Sequence, residues 1–93
     1  MVPSPLFNMY LVHVSEKAKK FAEKLSPDYK STIKARLEEL QHTPYPRGCI
    51  SLEGRPDCYR IRVGPFRIQY SIIEQDNVIL VFKISRRDET TYG

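Results

Sequence analysis

Asp57-Cys58-Tyr59-Arg60-Ile61-Arg62-Val63-Gly64-Pro65-Phe66-Arg67-Ile68-Gln69-Tyr70 reads as two strands joined by a turn. Tyr59, Ile61 and Val63 alternate with Cys58, Arg60 and Arg62; beyond Gly64-Pro65, Phe66, Ile68 and Tyr70 alternate with Arg67 and Gln69. This is the period of two of half-buried strands. Gly64 supplies the positive φ that a type II′ turn needs at its first central position, and Pro65 suits the negative φ of the second. A two-residue loop sets the register: Val63 opposite Phe66, Ile61 opposite Ile68 and Tyr59 opposite Tyr70 on the core face. On the other face Arg62 falls directly opposite Arg67, and Arg60 falls opposite Gln69 and diagonal to Arg67. Like charges directly across a strand pair are destabilising. The three arginines therefore read as a site for an anion, the alternative being a solvated face on which they splay apart.

Around this hairpin the chain has 93 residues, 41% of them hydrophobic, which suits one domain with one modest core. Its net charge of +4 favours a polyanionic partner without identifying one. The opening Met1-Val2-Pro3-Ser4-Pro5 has no basic segment followed by a long apolar run, and no stretch approaches membrane-spanning length. A cytoplasmic protein with no membrane partner is expected. Cys49 and Cys58 have no CxxC spacing and read as reduced core thiols in that compartment. With only His13 and His42 besides, no metal site is expected.

Upstream, Leu6 to Val14 carries apolar residues on both parities and reads as a strand in the middle of the sheet. Ser15 can cap a helix in which Ala18, Phe21, Ala22 and Leu25 form one buried stripe. Ser26-Pro27-Asp28 stops that helix and starts a second, with Tyr29, Ile33, Leu37 and Leu40 as its stripe and Thr43-Pro44 as its end. Arg47 to Pro56 reads as a loop or a short edge strand around Ile50 and Leu52.

Downstream, Val78 to Ile84 is a β-branched and aromatic strand. A three-residue turn at Gln75-Asp76-Asn77, with Asn77 left-handed, places Leu80 opposite Ile72, Phe82 opposite Tyr70 and Ile84 opposite Ile68, all on the core face. Lys83 then joins the arginine face, and continued alternation points Arg87, more than Arg86, to that side. At the other end of this face the same register leaves Ile73, Ile79 and Val81. Two helices cover only one side of such a sheet, so this apolar end is open for a partner or covered by a terminus.

Strand, helical hairpin, then a three-stranded meander with a basic free face: this order resembles the RelE/ParE toxin superfamily. The resemblance is carried by Leu52-Glu53-Gly54, by Asp57 to Gly64 leading into Phe66-Arg67-Ile68-Gln69-Tyr70, and by the tail Arg86-Arg87-Asp88-Glu89-Thr90-Thr91-Tyr92. It implies a single α+β, RelE-like domain over residues 1–93, with an antiparallel meander packed on two helices. The RelE branch implies an endoribonuclease that cuts mRNA in the ribosomal A site, using no metal or cofactor. Its partners are the ribosome with mRNA in that site and a RelB-like antitoxin that wraps and blocks the toxin.

Residue by residue, the family's two basic positions on the first hairpin strand fall on Arg60 and Arg62. Its second-strand arginine falls on Arg67, its tail arginine on Arg86 or Arg87, and its terminal tyrosine on Tyr92. Guanidinium forks match phosphate oxygens two at a time, which suits stabilisation of a developing phosphorane. In the best-known members of the family the first two positions are lysines, whereas both are arginines here. An arginine hardly ever gives up its proton, so Tyr92 phenolate or water is left as the general base, with stacking on a base as the other role for Tyr92. Lys83, Lys17, Lys20 and Lys24, with Lys30 and Lys34, are candidate RNA contacts or a solvated helical face. Ile73, Ile79 and Val81 are the expected antitoxin contacts. Two other classes share the hairpin: a ParE-like toxin that binds DNA gyrase and cuts nothing, and an inactive module that keeps only antitoxin binding. The arginine set with a terminal tyrosine favours the nuclease.

Overall fold

The computed structural model describes residues 9–87. In chain order these form β1 (Leu11–Val14), α1 (Glu16–Glu23), α2 (Pro27–His42), β2 (Ile50–Ser51), β3 (Cys58–Val63), β4 (Phe66–Ile73), a 3-10 turn (Glu74–Asp76) and β5 (Val78–Arg86). The strands make one sheet in the order β1-β5-β4-β3-β2, with β1 parallel to β5 and the other neighbours antiparallel.

Local chemistry sets the helices. The Ser15 hydroxyl accepts from the Ala18 amide at 3.2 Å and so satisfies one of the unpaired donors at the start of α1. Pro27 opens α2 with Asp28 in its first turn, while Ser26 makes no side-chain cap bond. The helical hairpin covers one face of the sheet. Ala18, Ile33 and Leu40 are buried there against Ile61, Val63, Phe66, Ile68 and Tyr70. Phe66 anchors the junction, with Phe21 and Tyr29 edge-on to its ring at 6.0 and 4.9 Å. Tyr29 makes this contact from the rim of the core, since it is itself exposed.

The β3–β4 ladder has the register that the two-residue turn dictates: Val63 pairs with Phe66, Ile61 with Ile68, Tyr59 with Tyr70, Arg60 with Gln69 and Arg62 with Arg67. Gly64 has φ +58°. Ile61 and Ile68 lie under the helices, and Arg62 and Arg67 lie on the free face.

Three expectations are corrected. First, β1 is not in the middle of the sheet; it is an edge strand of four residues, paired with β5 alone among the described residues. The Leu6–Phe7–Asn8 part of the expected strand lies outside the described residues. Its two apolar parities have separate uses: Val12 and Val14 pack against the core, whereas Leu11 is 66% exposed on the free face.

Second, the β4–β5 connection takes one residue more than the three-residue turn. Glu74 leaves the ladder to join the turn, Asn77 is left-handed at φ +54°, and the ladder closes at Ile73–Val78. A one-residue slip exchanges the faces of a strand. Ile79 and Val81 therefore oppose Ile72 and Tyr70 in the core, both fully buried, and are not open to a partner. The apolar end of the free face consists instead of Leu11, Ile73, Val78 and Leu80.

Third, Phe82 does not face the core. A β-bulge opposite Gln69 and Tyr70 absorbs the slip, so that Gln69 still pairs with Lys83 and Ile68 with Ile84. A bulge sets two residues against one. Phe82 and Lys83 consequently both line the arginine face.

Glu74 is taken from the ladder into a clasp. Its carboxylate accepts hydrogen bonds from the Tyr10 hydroxyl at 2.5 Å and from the Tyr45 hydroxyl. These bonds tie the start of β1 and the loop after α2 to the turn, and they hold the Glu74 carboxyl below the usual carboxylate range.

Two outcomes follow from this packing. Ile79→Ala lowers the stability measured by urea unfolding by about 2–5 kcal/mol, the cost of a buried aliphatic truncation; an exposed docking residue loses far less. A carboxyl whose pKa is lowered by folding adds stability above its unfolded pKa and loses it as pH falls through the folded pKa. The urea midpoint of the parent therefore exceeds that of Glu74→Gln at neutral pH, and the gap closes on acidification through the carboxylate range.

Candidate active site on the free face of the sheet

Arg60 and Arg62 alternate along β3, and Arg67 projects from β4 between them and β5. Arg87 follows the last residue of β5. Its amide donates to the Pro65 carbonyl at 2.9 Å, and its Nη1 donates to the Gly64 carbonyl at 3.3 Å. The hairpin turn thus fixes Arg87 beside the arginines of the hairpin. Partial burial lowers the pKa of Arg67 most, and Arg60, Arg62 and Arg87 lower it further. A guanidinium keeps its proton at neutral pH despite such a shift. The consequence is a concentrated positive potential that a bound anion relieves.

Two shallow concavities share Arg67. The first, about 400 Å³, is formed by Arg62, Arg67, Arg86 and Arg87 around Pro65. The second, about 500 Å³, adds Arg60, Lys83, Lys17 and Arg55 to Arg67, with Gln69 and Phe82 between them. Among the described residues no carboxylate lines either one. A dianionic or polyanionic ligand spanning both meets, among the described residues, charged side chains of one sign.

The tail arginines separate by strand parity. Arg86 opposes Phe66 and lays its guanidinium over that ring, 5.4 Å from the centroid, at the rim of the first concavity. Arg87 continues the parity of Ser85, which opposes Arg67. Lys17 and Lys83 reach the second concavity, whereas Lys20 and Lys24 lie on the exposed side of α1 and line neither. Lys30 and Lys34 border a different groove, between the helices. Tyr92 lies outside the described residues. Among the described residues no group of three or more His, Cys, Asp and Glu side chains is placed to hold a metal.

Four residues at the site are absent from the sequence reading or had no role there. Phe82 arrives through the bulge, which no residue pattern announces. Arg55 extends from the turn between β2 and β3 and stacks on Phe82, 4.9 Å from its centroid. Gln69 was legible as a neighbour of the arginines, yet only its place beside Phe82 gives it a use. Ser85, 7% exposed, lies directly across from Arg67, and its hydroxyl has no hydrogen-bond partner among the described residues.

The family model for the ParE toxin of the type II toxin-antitoxin system parDE matches residues 12–91. A curated relative, the putative toxin RelE1 of Methanocaldococcus jannaschii, is 32% identical over 80 residues, covering 83% of this chain and 89% of its own. The mRNA interferase toxin RelE of Escherichia coli K12 is 28% identical over 83 residues, covering 87% and 86%. Among solved structures, the RelE–RelB complex of Pyrococcus horikoshii superposes with a TM-score of 0.77 at 30% identity, over 85% of this chain and 96% of the other. Isolated E. coli RelE gives 0.73 at 28% identity, over 83% of each. This chain belongs to the RelE/ParE toxin superfamily, in its RelE branch.

Mutual repulsion at the centre of this RelE-like face has a measurable consequence. Arg67→Met keeps the aliphatic stem and removes the charge that Arg60, Arg62 and Arg87 all oppose. Its melting temperature equals or exceeds that of the parent at low ionic strength, and the difference shrinks in high salt as the repulsion is screened.

Proposed function

We propose that this protein is the toxin of a toxin–antitoxin pair and an endoribonuclease that cuts mRNA in the A site of the ribosome, in the cytoplasm. The observation that carries the reading is the convergence of Arg60, Arg62 and Arg87 on Arg67, on the free face of the sheet. Such a site suits a phosphate whose charge rises during reaction. The names of two relatives, each an mRNA interferase, supply the substrate class.

The reaction is an attack within the RNA itself. The ribose 2′-hydroxyl loses its proton, its oxygen bonds to the adjacent phosphorus, and the P–O5′ bond breaks as the 5′ oxygen takes up a proton. The products are a cyclic phosphate and a 5′-hydroxyl. Arg62, Arg67 and Arg87 line the first concavity and serve the non-bridging oxygens, whose charge grows toward the pentacoordinate state. Arg86 contributes from the rim. Arg60 binds the neighbouring backbone with Lys83 and Lys17. Arginine does not act as the base, so Tyr92 or water takes the 2′ proton.

A RelB-like antitoxin is the partner, as it is in the solved complexes of relatives from P. horikoshii and E. coli. The free face offers it acid-binding arginines at one end and the apolar Leu11, Ile73, Val78 and Leu80 at the other. No helix among the described residues is long and apolar enough to cross a membrane. One observation favours a second reading: the matching family model is that of the ParE toxin. A toxin of that kind damages DNA through gyrase and leaves messages intact.

Induced expression with mapping of mRNA ends separates the two. Codon-phased cuts in translated messages are expected; intact messages with damaged DNA would overturn the nuclease reading. Arg67→Met, folded as above, lowers cleavage on ribosomes by about a hundredfold to a thousandfold, the usual loss when one preorganised charge contact to a developing anion is removed. Tyr92→Phe separates proton transfer from stacking, since near-parental cleavage leaves only the ring with a role.

A further inference from the structure

The second concavity contains more than phosphate binding calls for. A phosphate is served by cations, yet between Arg60, Lys83 and Lys17 the groove also presents an aromatic ring, Phe82, and the amide of Gln69. We propose that this groove is a base-reading subsite, in which the base of a nucleotide next to the scissile phosphate stacks on Phe82 and is hydrogen-bonded by Gln69. The inference rests on the ribonuclease reading and adds to it the residues that choose among codons.

Position supports it first. Arg67 lines both concavities, so an RNA whose phosphate sits on Arg67 continues into the second groove with a ribose and a base. The bulge supports it next. Without that extra residue in β5, Phe82 and Lys83 would point to opposite faces; with it, both stand on the face that carries the arginines.

In the free protein the face of Phe82 is already stacked by a flat group, the Arg55 guanidinium, 4.9 Å from the ring centroid. A base is another flat group and fits the same place. Arg55 lies on an exposed turn whose backbone is fixed by two hydrogen bonds of 3.2 Å, from its amide to the Leu52 carbonyl and from the Cys58 amide to its own carbonyl. Its side chain can therefore swing aside without moving the loop, and its charge then serves a phosphate. Stacking tolerates any base, because every base has a π-face. Discrimination needs a donor and an acceptor on one group, and among the described residues Gln69 is the only uncharged hydrogen-bonding side chain lining the groove. An acidic peptide would use the cations and leave both the ring and the amide without a partner.

The test is cleavage by the purified protein of ribosomes programmed with messages that differ only in the A-site codon. Gln69→Ala is expected to lower the rate at the favoured codons by about tenfold, the scale of one lost base-edge contact, so that the spread of rates across codons narrows. Gln69→Glu, which keeps the shape and loses the donor, reorders the codons. Arg62→Ala lowers all codons in proportion and keeps their order. Melting temperatures confirm that the Gln69 variants are folded. If both Gln69 variants keep the parental order of codons, or weaken only the capture of an acidic antitoxin segment, the base-reading inference is overturned and the nuclease reading stands. If the parent itself produces no codon-phased ends, the nuclease reading fails and takes the inference with it.

Discussion

Arg67 is held between Arg62 on β3 and Ser85 on β5, and the free face is organised by that placement. Repulsion from Arg60, Arg62 and Arg87 makes it a poor choice for stability alone, and its partial burial adds to the cost. The sheet can carry the cost because the opposite face of the same strands is a dense core. Ile68, next to Arg67 in sequence, is fully buried, as is Phe66 on its other side. A strand's period of two thus assigns adjacent residues to opposite tasks: one parity folds the protein and the other gathers charge.

The bulge in β5 extends this division. The turn after β4 demands one register, set by the Glu74 clasp and by the left-handed Asn77; the hairpin end demands another, set by Gly64 and by Arg87 pinned to the turn. Both ends are satisfied only if one residue is inserted between them. That residue changes the composition of the free face, since Phe82 comes out to stand beside Lys83 while Val81 and Ile84 stay buried. A local irregularity that reconciles two turns therefore also gives the cationic groove an aromatic floor.

These features explain what could be read in advance. The hairpin register was fully legible because a two-residue turn leaves no choice, and with it the pairing of Arg62 with Arg67. Both helices were legible through Ser15, Pro27 and their apolar stripes. The turn after β4 was not. Glu74 looks like the last residue of a strand until Tyr10 and Tyr45, 64 and 29 residues away in sequence, claim its carboxylate. That one misplaced residue moved Ile79 and Val81 to the wrong face and put Phe82 in the core. The edge position of β1 was hidden for a related reason. Leu11 belongs to an exposed apolar patch, and an exposed apolar residue has the same pattern in sequence as one buried on a second face.

That the charged residues of the hairpin are arginines and not lysines has a further consequence for the proposed chemistry. Lysine at such a site can be pushed by its neighbours toward neutrality and then exchange a proton; arginine cannot, even where Arg60, Arg62 and Arg87 together oppose Arg67. The positive charge of this face is consequently constant across the physiological pH range. What the cluster contributes to the transition state does not titrate, so any pH dependence of cleavage belongs to the group that takes the 2′ proton or to the RNA. Charge stabilisation and proton transfer are thereby assigned to different parts of the chain. In the proposed reaction the first belongs to the hairpin and to Arg87 just after β5, and the second falls to Tyr92 or to water.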